Sequence, residues 1–236
     1  MPAAASEETV RTAVLRGGWL TLSFIHWRYD ADVIQAMLPD GLVVDTYDGS
    51  AWVTLAPFLM SDVRPPLLPT TGRIGTFPET NLRTYVRGPR GRDGLWFFSL
   101  EADSAPMVLA ARAVVGAPYF VGKLSIDERD GVITYAGVRR GGSPSYRVVV
   151  RAGAPIEPSE RDVWLTGRWR AYTRHLGRWL ETPVDHEPWP LREATVLELD
   201  ESLTAAAGLP APEGEPLAHW SEGVRDVRIG MSRVVG

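Results

Sequence analysis

The chain predicts a mainly β protein with short helices (α+β), built as a closed or nearly closed barrel. Three observations carry this expectation. About a dozen segments show strand patterning between Gly, Pro, Asn and Asp turn signals. The helical stretches are few and short, and they do not alternate with strands as a parallel α/β sheet requires. No internal repeat or low-complexity linker interrupts the 236 residues, so a single domain over 1–236 is expected. Residues 1–14 read as a flexible N-terminal segment.

Leu15 to Tyr29 opens with a long alternating strand. Asp30 then stands where a helix N-cap belongs, and Val33, Ile34, Met37 and Leu38 follow at helical spacing. Pro39-Asp40-Gly41 stops that helix. Leu42 to Thr46 and Ala51 to Val63 are strands joined through Asp48-Gly49, a pair that favours a tight hairpin. Arg64 to Pro78, rich in Pro, Gly and Thr, reads as a long loop of the kind that often carries function. Glu79 to Arg87 and Leu95 to Asp103 form a second hairpin. Ala105 to Val115 is the best helix. Strands follow at Pro118 to Arg129, Val132 to Arg139 and Tyr146 to Ala152, then a short helix at Ser159 to Leu165. Trp169 to His175 and Trp179 to His186 pair around Leu176-Gly177. Leu191 to Asp200 is a strand, Ser202 to Gly208 a short helix, Leu209 to Glu215 a loop, and Val224 to Val235 the closing strand.

Composition narrows the chemistry. The chain is 44% hydrophobic and 23% charged, ordinary for a globular protein with one sizeable core. A net charge of -4 argues against nucleic acid or an anionic membrane as partner, since both reward a basic face. There is no cysteine, so disulfides, thiolate catalysis and thiolate metal sites are excluded. Met1 to Arg16 lacks a basic stretch followed by an apolar one, and no apolar run reaches about 18 residues. A cytoplasmic location is expected. His175, His186 and His219 fall at no metal-ligand spacing, Gly72-Arg73-Ile74-Gly75 is too sparse for a phosphate loop and no dinucleotide fingerprint occurs, so no metal or other cofactor is expected. Exposed sheet edges would allow a homo-oligomer.

Two strands and one helix carry candidate chemistry. Period-two alternation puts Glu79, Asn81, Arg83, Tyr85 and Arg87 on one face of their strand. Lining a cavity, Glu79 would act as acid or base, and Arg83 would hold a carboxylate through its planar fork. On a solvated face the same two side chains would simply pair. Tyr119, Val121 and Lys123 likewise share a face. Lys123 is the only lysine in the chain, and a buried lysine would be nucleophilic; the alternative is an exposed charge beside Asp127 or Glu128. Arg112 would reach a ligand anion or pair with Glu101. Trp96 and Phe98 would wall an apolar pocket. His26 reads as a hydrogen-bonded core residue.

Several stretches together resemble a known family. They are Leu22-Ser23-Phe24-Ile25-His26-Trp27-Arg28, Met37-Leu38-Pro39-Asp40-Gly41-Leu42, Asp45-Thr46-Tyr47-Asp48-Gly49-Ser50-Ala51-Trp52-Val53, Phe77-Pro78-Glu79-Thr80-Asn81-Leu82-Arg83 and His186-Glu187-Pro188-Trp189-Pro190-Leu191. In order and spacing they are similar to the YqjF-like family, DUF2071, from about Trp19 to Val234. That family resembles the acetoacetate decarboxylase superfamily in fold, which implies an acetoacetate decarboxylase-like β-barrel with an internal cavity. The decarboxylases carry Pro-Lys-Lys where this chain has Pro118-Tyr119-Phe120. The resemblance thus puts Tyr119 at the Schiff-base lysine and Phe120 at its activating neighbour, and it retains the catalytic glutamate as Glu79. It implies a small-molecule substrate or ligand and casts doubt on imine chemistry. Two readings stay open. One is an enzyme working on a carbonyl or carboxylate compound by acid–base chemistry, of lyase, dehydration or cyclisation type. The other is a non-catalytic protein that binds or senses a small molecule.

Overall fold

A computed structural model describes residues 5–6, 8–69 and 72–236, with the backbone alone at Arg73. The strands are β1 (Ala13–Tyr29), β2 (Val43–Val44), β3 (Ala51–Arg64), β4 (Phe77–Arg87), β5 (Asp93–Ala102), β6 (Tyr119–Arg129) and β7 (Val132–Arg139). They continue as β8 (Ser145–Pro155), β9 (Arg170–His175), β10 (Arg178–Asp185), β11 (Leu191–Glu201), β12 (Leu217–Gly230) and β13 (Arg233–Val234). The helices are α1 (Ala31–Met37), α2 (Ala105–Val115), α3 (Glu160–Thr166) and α4 (Leu203–Ala206).

All strands join one sheet in the order β13-β10-β9-β5-β6-β7-β8-β11-β12-β1-β3-β4-β2. Pairing of β4 with β5 closes β5, β6, β7, β8, β11, β12, β1, β3 and β4 into a nine-strand barrel. Pairing of β10 with β12 closes a second ring of β12, β1, β3, β4, β5, β9 and β10. The two rings share the wall β12-β1-β3-β4-β5. Each residue of that wall therefore faces one compartment or the other by its parity along the strand.

The barrel lumen is filled. Ile25, Leu55, Leu82, Ile133, Tyr135 and Val148 are among the fully buried residues of one apolar cluster, to which all nine strands contribute. Burying each such side chain is worth roughly 1.5–3 kcal/mol. The second compartment is more polar. Its apolar parts are a cluster around Phe24, Phe58 and Phe77, and another in which Trp164 and Leu165 of α3 pack on Trp52 and Tyr85.

Two glycines shape the region. Gly116 ends α2 with φ 66, and its amide donates to the Arg112 carbonyl, which turns the chain through Pro118 into β6. At Gly223, φ is +110 and a Cβ would lie 2.1 Å from the Trp19 carbonyl oxygen. Only glycine lets β12 approach β1 there.

Most elements agree with the sequence reading, with three differences. β12 begins at Leu217 rather than Val224, because polar residues occupy both of its faces and hide the alternation. The strand expected at Leu42 to Thr46 shrinks to Val43–Val44 on the sheet edge. The long loop shortens, since β3 runs to Arg64 and β4 starts at Phe77; its residues 70 and 71 lie outside the described ones. The described part of the N-terminal segment makes contacts with the body of the protein. Val10 is buried and its amide donates to Asp185, while Glu8 pairs with Arg92 and Arg233. No helix among the described residues is long and apolar enough to cross a membrane.

Candidate functional site

Glu79, Asn81, Arg83 and Tyr85 point away from the barrel lumen, which Thr80 and Leu82 of the same strand face instead. They are 2%, 8%, 9% and 0% exposed, so the row is an interior surface and not a solvated one. Arg87, the last of the alternating set, is exposed and pairs with Asp45.

Tyr119 comes to Glu79 across the sheet. In register, Glu79 faces Ala102 and Asn81 faces Leu100, which itself pairs with Tyr119. The Tyr119 hydroxyl lies 3.1 and 3.2 Å from the two Glu79 carboxyl oxygens and donates to them. Burial pushes the Glu79 carboxyl up to about 8, against the Tyr119 hydrogen bond, which lowers it. Glu79 therefore carries its proton at neutral pH. Burial also raises the Tyr119 phenol well above its ordinary value, and the Glu79 charge adds to that.

Arg83 is the other unusual group. Its Cζ lies over the Phe24 ring, 5.3 Å from the centroid. Among the described residues no carboxylate forms an ion pair with it, and its Nε has no hydrogen-bond partner. The Asn81 Oδ1 is likewise buried without a partner. Burial lowers the Arg83 guanidinium from its ordinary value, and the nearby Tyr85 hydroxyl partly offsets this. A buried guanidinium with no counter-charge is costly unless something anionic completes it. Glu79 and Arg83 are four residues apart, about 13 Å along the strand. Their side chains bracket Asn81.

Behind Arg83 stands a polar file that sequence reasoning missed. His26, Thr54 and Arg83 occupy one cross-strand row on β1, β3 and β4. The Asp162 Oδ1 is 3.1 Å from His219 Nε2, and His219 Nδ1 is 3.4 Å from His26 Nε2. His26 Nδ1 is 2.8 Å from Thr54 Oγ1, which is 2.6 Å from the Tyr85 hydroxyl. Tyr85 donates to the Leu165 carbonyl at 2.7 Å. His186 lies between three indoles, Trp169, Trp189 and Trp19, with ring centroids 4.6, 4.7 and 5.5 Å away. One signal was available for His26: its place beside Leu22 and Phe24 on a buried face. His219 gave none, because the strand was read from Val224 onward and His219 lies in the part before it.

The remaining expected site residues lie elsewhere. Lys123 shares the face of Tyr119, but by that point the strand has passed the covering elements and the lysine is exposed. It lines a surface hollow with Val121, Val138 and Arg140, apart from Glu79. Arg112 is exposed, with its Cζ 5.6 Å from the Phe120 ring centroid. Glu101, its expected partner, pairs with Arg139 at 2.5 Å instead. Trp96 and Phe98 part company because β5 carries a bulge where Leu82 and Arg83 pair with it. Trp96 packs with Trp179 and Tyr172, and Phe98 packs against the barrel core. Among the described residues no group of three or more His, Asp or Glu is arranged to hold a metal ion.

The fold is that of the acetoacetate decarboxylase-like proteins. An acetoacetate decarboxylase-like enzyme from Sphingomonas wittichii superimposes with a TM-score of 0.66 at 17% identity, covering 98% of this chain and 96% of its own. Acetoacetate decarboxylase from Legionella pneumophila gives 0.62 at 16% identity, covering 100% and 92%. The enduracididine biosynthesis enzyme MppR, complexed with pyruvate, gives 0.64 at 16%, covering 98% and 93%. At such identities the likeness concerns the fold alone. Within it, the chain belongs to the DUF2071 family, described as an uncharacterized conserved protein, which it matches over residues 16–225. It is 34% identical over 214 residues to the uncharacterized protein YqjF of Bacillus subtilis, covering 89% of this chain and 88% of that one.

Proposed function

We propose that this chain is a small-molecule enzyme that acts on a carbonyl or carboxylate compound by acid–base chemistry, of lyase, dehydration or cyclisation type. The observation that carries this reading is Arg83: a buried guanidinium without a carboxylate partner among the described residues, on the same face as a buried Glu79 that keeps its proton at neutral pH. A ligand carboxylate would complete Arg83 through paired charge-assisted hydrogen bonds. Glu79 would then give its proton to a carbonyl oxygen or, once ionised, accept one from the adjacent carbon. Tyr119 would donate to the oxyanion that forms between them. The decarboxylase-like fold of the structural neighbours supports a small substrate, and the pyruvate complexed with MppR is of the proposed chemical class.

The second reading, a protein that binds or senses such a compound without turnover, is favoured by the position of Lys123. The only lysine is exposed, so an imine on it would form outside the Glu79 row.

The test is a panel of 2-oxo and 3-oxo acids in D2O. Proton NMR would follow exchange at the carbon next to the carbonyl, and calorimetry would follow binding. Catalysis predicts exchange or turnover that Glu79→Gln abolishes while binding persists. Arg83→Met should weaken binding about ten- to a hundred-fold, the loss of a charge-assisted hydrogen bond of roughly 1.5–3 kcal/mol. Binding without exchange would select the sensing reading. Borohydride trapping should give no adduct at Lys123. Binding that is indifferent to Arg83→Met would remove the basis of both readings.

A further inference from the structure

The file from Asp162 to Leu165 is one proton short. Five contacts run through it end to end, Asp162–His219, His219–His26, His26–Thr54, Thr54–Tyr85 and Tyr85–Leu165, and a longer cross-contact of 3.4 Å joins the Tyr85 hydroxyl to His26 Nδ1, whose closer partner is Thr54. Both ends can only accept, because one is a carboxylate oxygen and the other a peptide carbonyl. Each contact that is a hydrogen bond uses one proton. Two neutral imidazoles, one threonine hydroxyl and one tyrosine hydroxyl supply only four. One contact must therefore stay open while the groups are neutral and Asp162 is ionised.

The distances show which contact it is. Four of the five run from 2.6 to 3.1 Å, and the His219 Nδ1 to His26 Nε2 contact is 3.4 Å. The other four fix the proton order. Tyr85 donates to Leu165, so Thr54 donates to Tyr85, so His26 donates to Thr54 from Nδ1. At the far end His219 donates to Asp162 from Nε2. Each imidazole then turns a bare nitrogen toward the other. Two lone pairs face each other in a buried site.

We propose that the His26–His219 pair is a proton-binding site that takes up a single proton from solvent, shared across the facing nitrogens. Uptake converts the open contact into a hydrogen bond, and all five contacts are then made. No covalent bond other than N–H forms or breaks. The charged groups that face the pair are Asp162 and Arg161 on α3 and Arg83 on β4, with the Tyr85 phenol as the remaining titratable neighbour. Asp162 favours the added proton, and Arg83 and Arg161 oppose it. Burial opposes it further and lowers both imidazoles from their ordinary value. Loading therefore falls below about pH 6.5. Loaded, the pair adds a positive charge on β1 and β12, with β3 between it and Arg83.

The experiment is a pH titration of the full chain labelled with 15N-histidine. There are only four histidines, and variants at His175 and His186 assign the other two signals. His26 and His219 should move together through one midpoint below about 6.5, with a total uptake of one proton. Asp162→Asn should shift that midpoint down by about one unit or more, through loss of the facing carboxylate. Thr54→Val frees His26 to donate from Nε2 to His219, so the shared uptake should disappear. Two separate midpoints with two protons bound would overturn the proposal. So would no change before acid unfolding, or a midpoint indifferent to Asp162→Asn. The wild-type titration alone decides the matter if a variant fails to fold.

Discussion

Replacing Glu79 by glutamine should stabilise the protein, and by an amount that depends on pH. The carboxyl titrates at 4.5 in the unfolded chain and at about 8 when buried. The folded state therefore holds this proton more tightly. Between those two values the unfolded chain ionises and the folded one does not, so the wild type loses stability as pH rises from 4.5 to about 8. Each pKa unit corresponds to about 1.36 kcal/mol. The loss is thus about 3 kcal/mol at pH 7 and about 5 kcal/mol above pH 8. Glutamine has the same shape, still accepts from the Tyr119 hydroxyl and does not ionise. Relative to wild type, Glu79→Gln should gain nothing from titration at pH 4, then about 3 kcal/mol at pH 7 and about 5 kcal/mol at pH 9. Against a typical stability of roughly 5–15 kcal/mol this is a large effect. Urea unfolding at a series of pH values, with the midpoint and slope fitted together, reads it directly. A gap between the two proteins that stays flat from pH 4 to pH 9 would refute the reasoning, because it would place Glu79 in contact with water.

Three further outcomes are expected. Tyr119→Phe removes the hydrogen bond that lowers the Glu79 carboxyl, so Glu79 should titrate higher still, as seen by 13C NMR of the labelled side chain; an unchanged midpoint would mean that the two do not touch. His26, His186 and His219 are all lowered by burial, so the unfolded chain protonates them first and stability should fall as pH drops below about 6.5. Thermal unfolding in the Glu79→Gln background isolates this effect, and a melting temperature that climbs toward pH 5 would contradict it. Leu82→Ala hollows the filled barrel lumen and should cost about 2–5 kcal/mol by chemical unfolding, without altering ligand binding at Arg83.

The polar row of β4 was legible before any coordinates, because strand alternation fixes which side chains share a face. Its surroundings were not. The alternation at Glu79, Asn81, Arg83 and Tyr85 is equally consistent with a wet surface and a buried wall, and only the second ring of strands makes it a wall. Lys123 shows the same limit in reverse. It lies on the correct face of β6 but beyond the cover, and cover is a property of distant segments. Trp96 and Phe98 were misplaced together because a bulge changes parity, and a bulge leaves no reliable mark in the residues that carry it. His219 was invisible for a further reason. β12 has polar residues on both faces because it divides two compartments, and a strand without contrast has no period to read.

Alternation, turn residues and ordered motifs therefore determined the class, the strand inventory and the family, since each depends on neighbours within a few positions. The tertiary structure alone decided that one wall serves two rings. It also decided that Glu79 loses its water and keeps its proton, that Arg83 meets no carboxylate among the described residues, and that Asp162, His219 and His26 meet from three separate elements. Those outcomes depend on desolvation and on contacts between residues up to 193 positions apart, which no local pattern encodes.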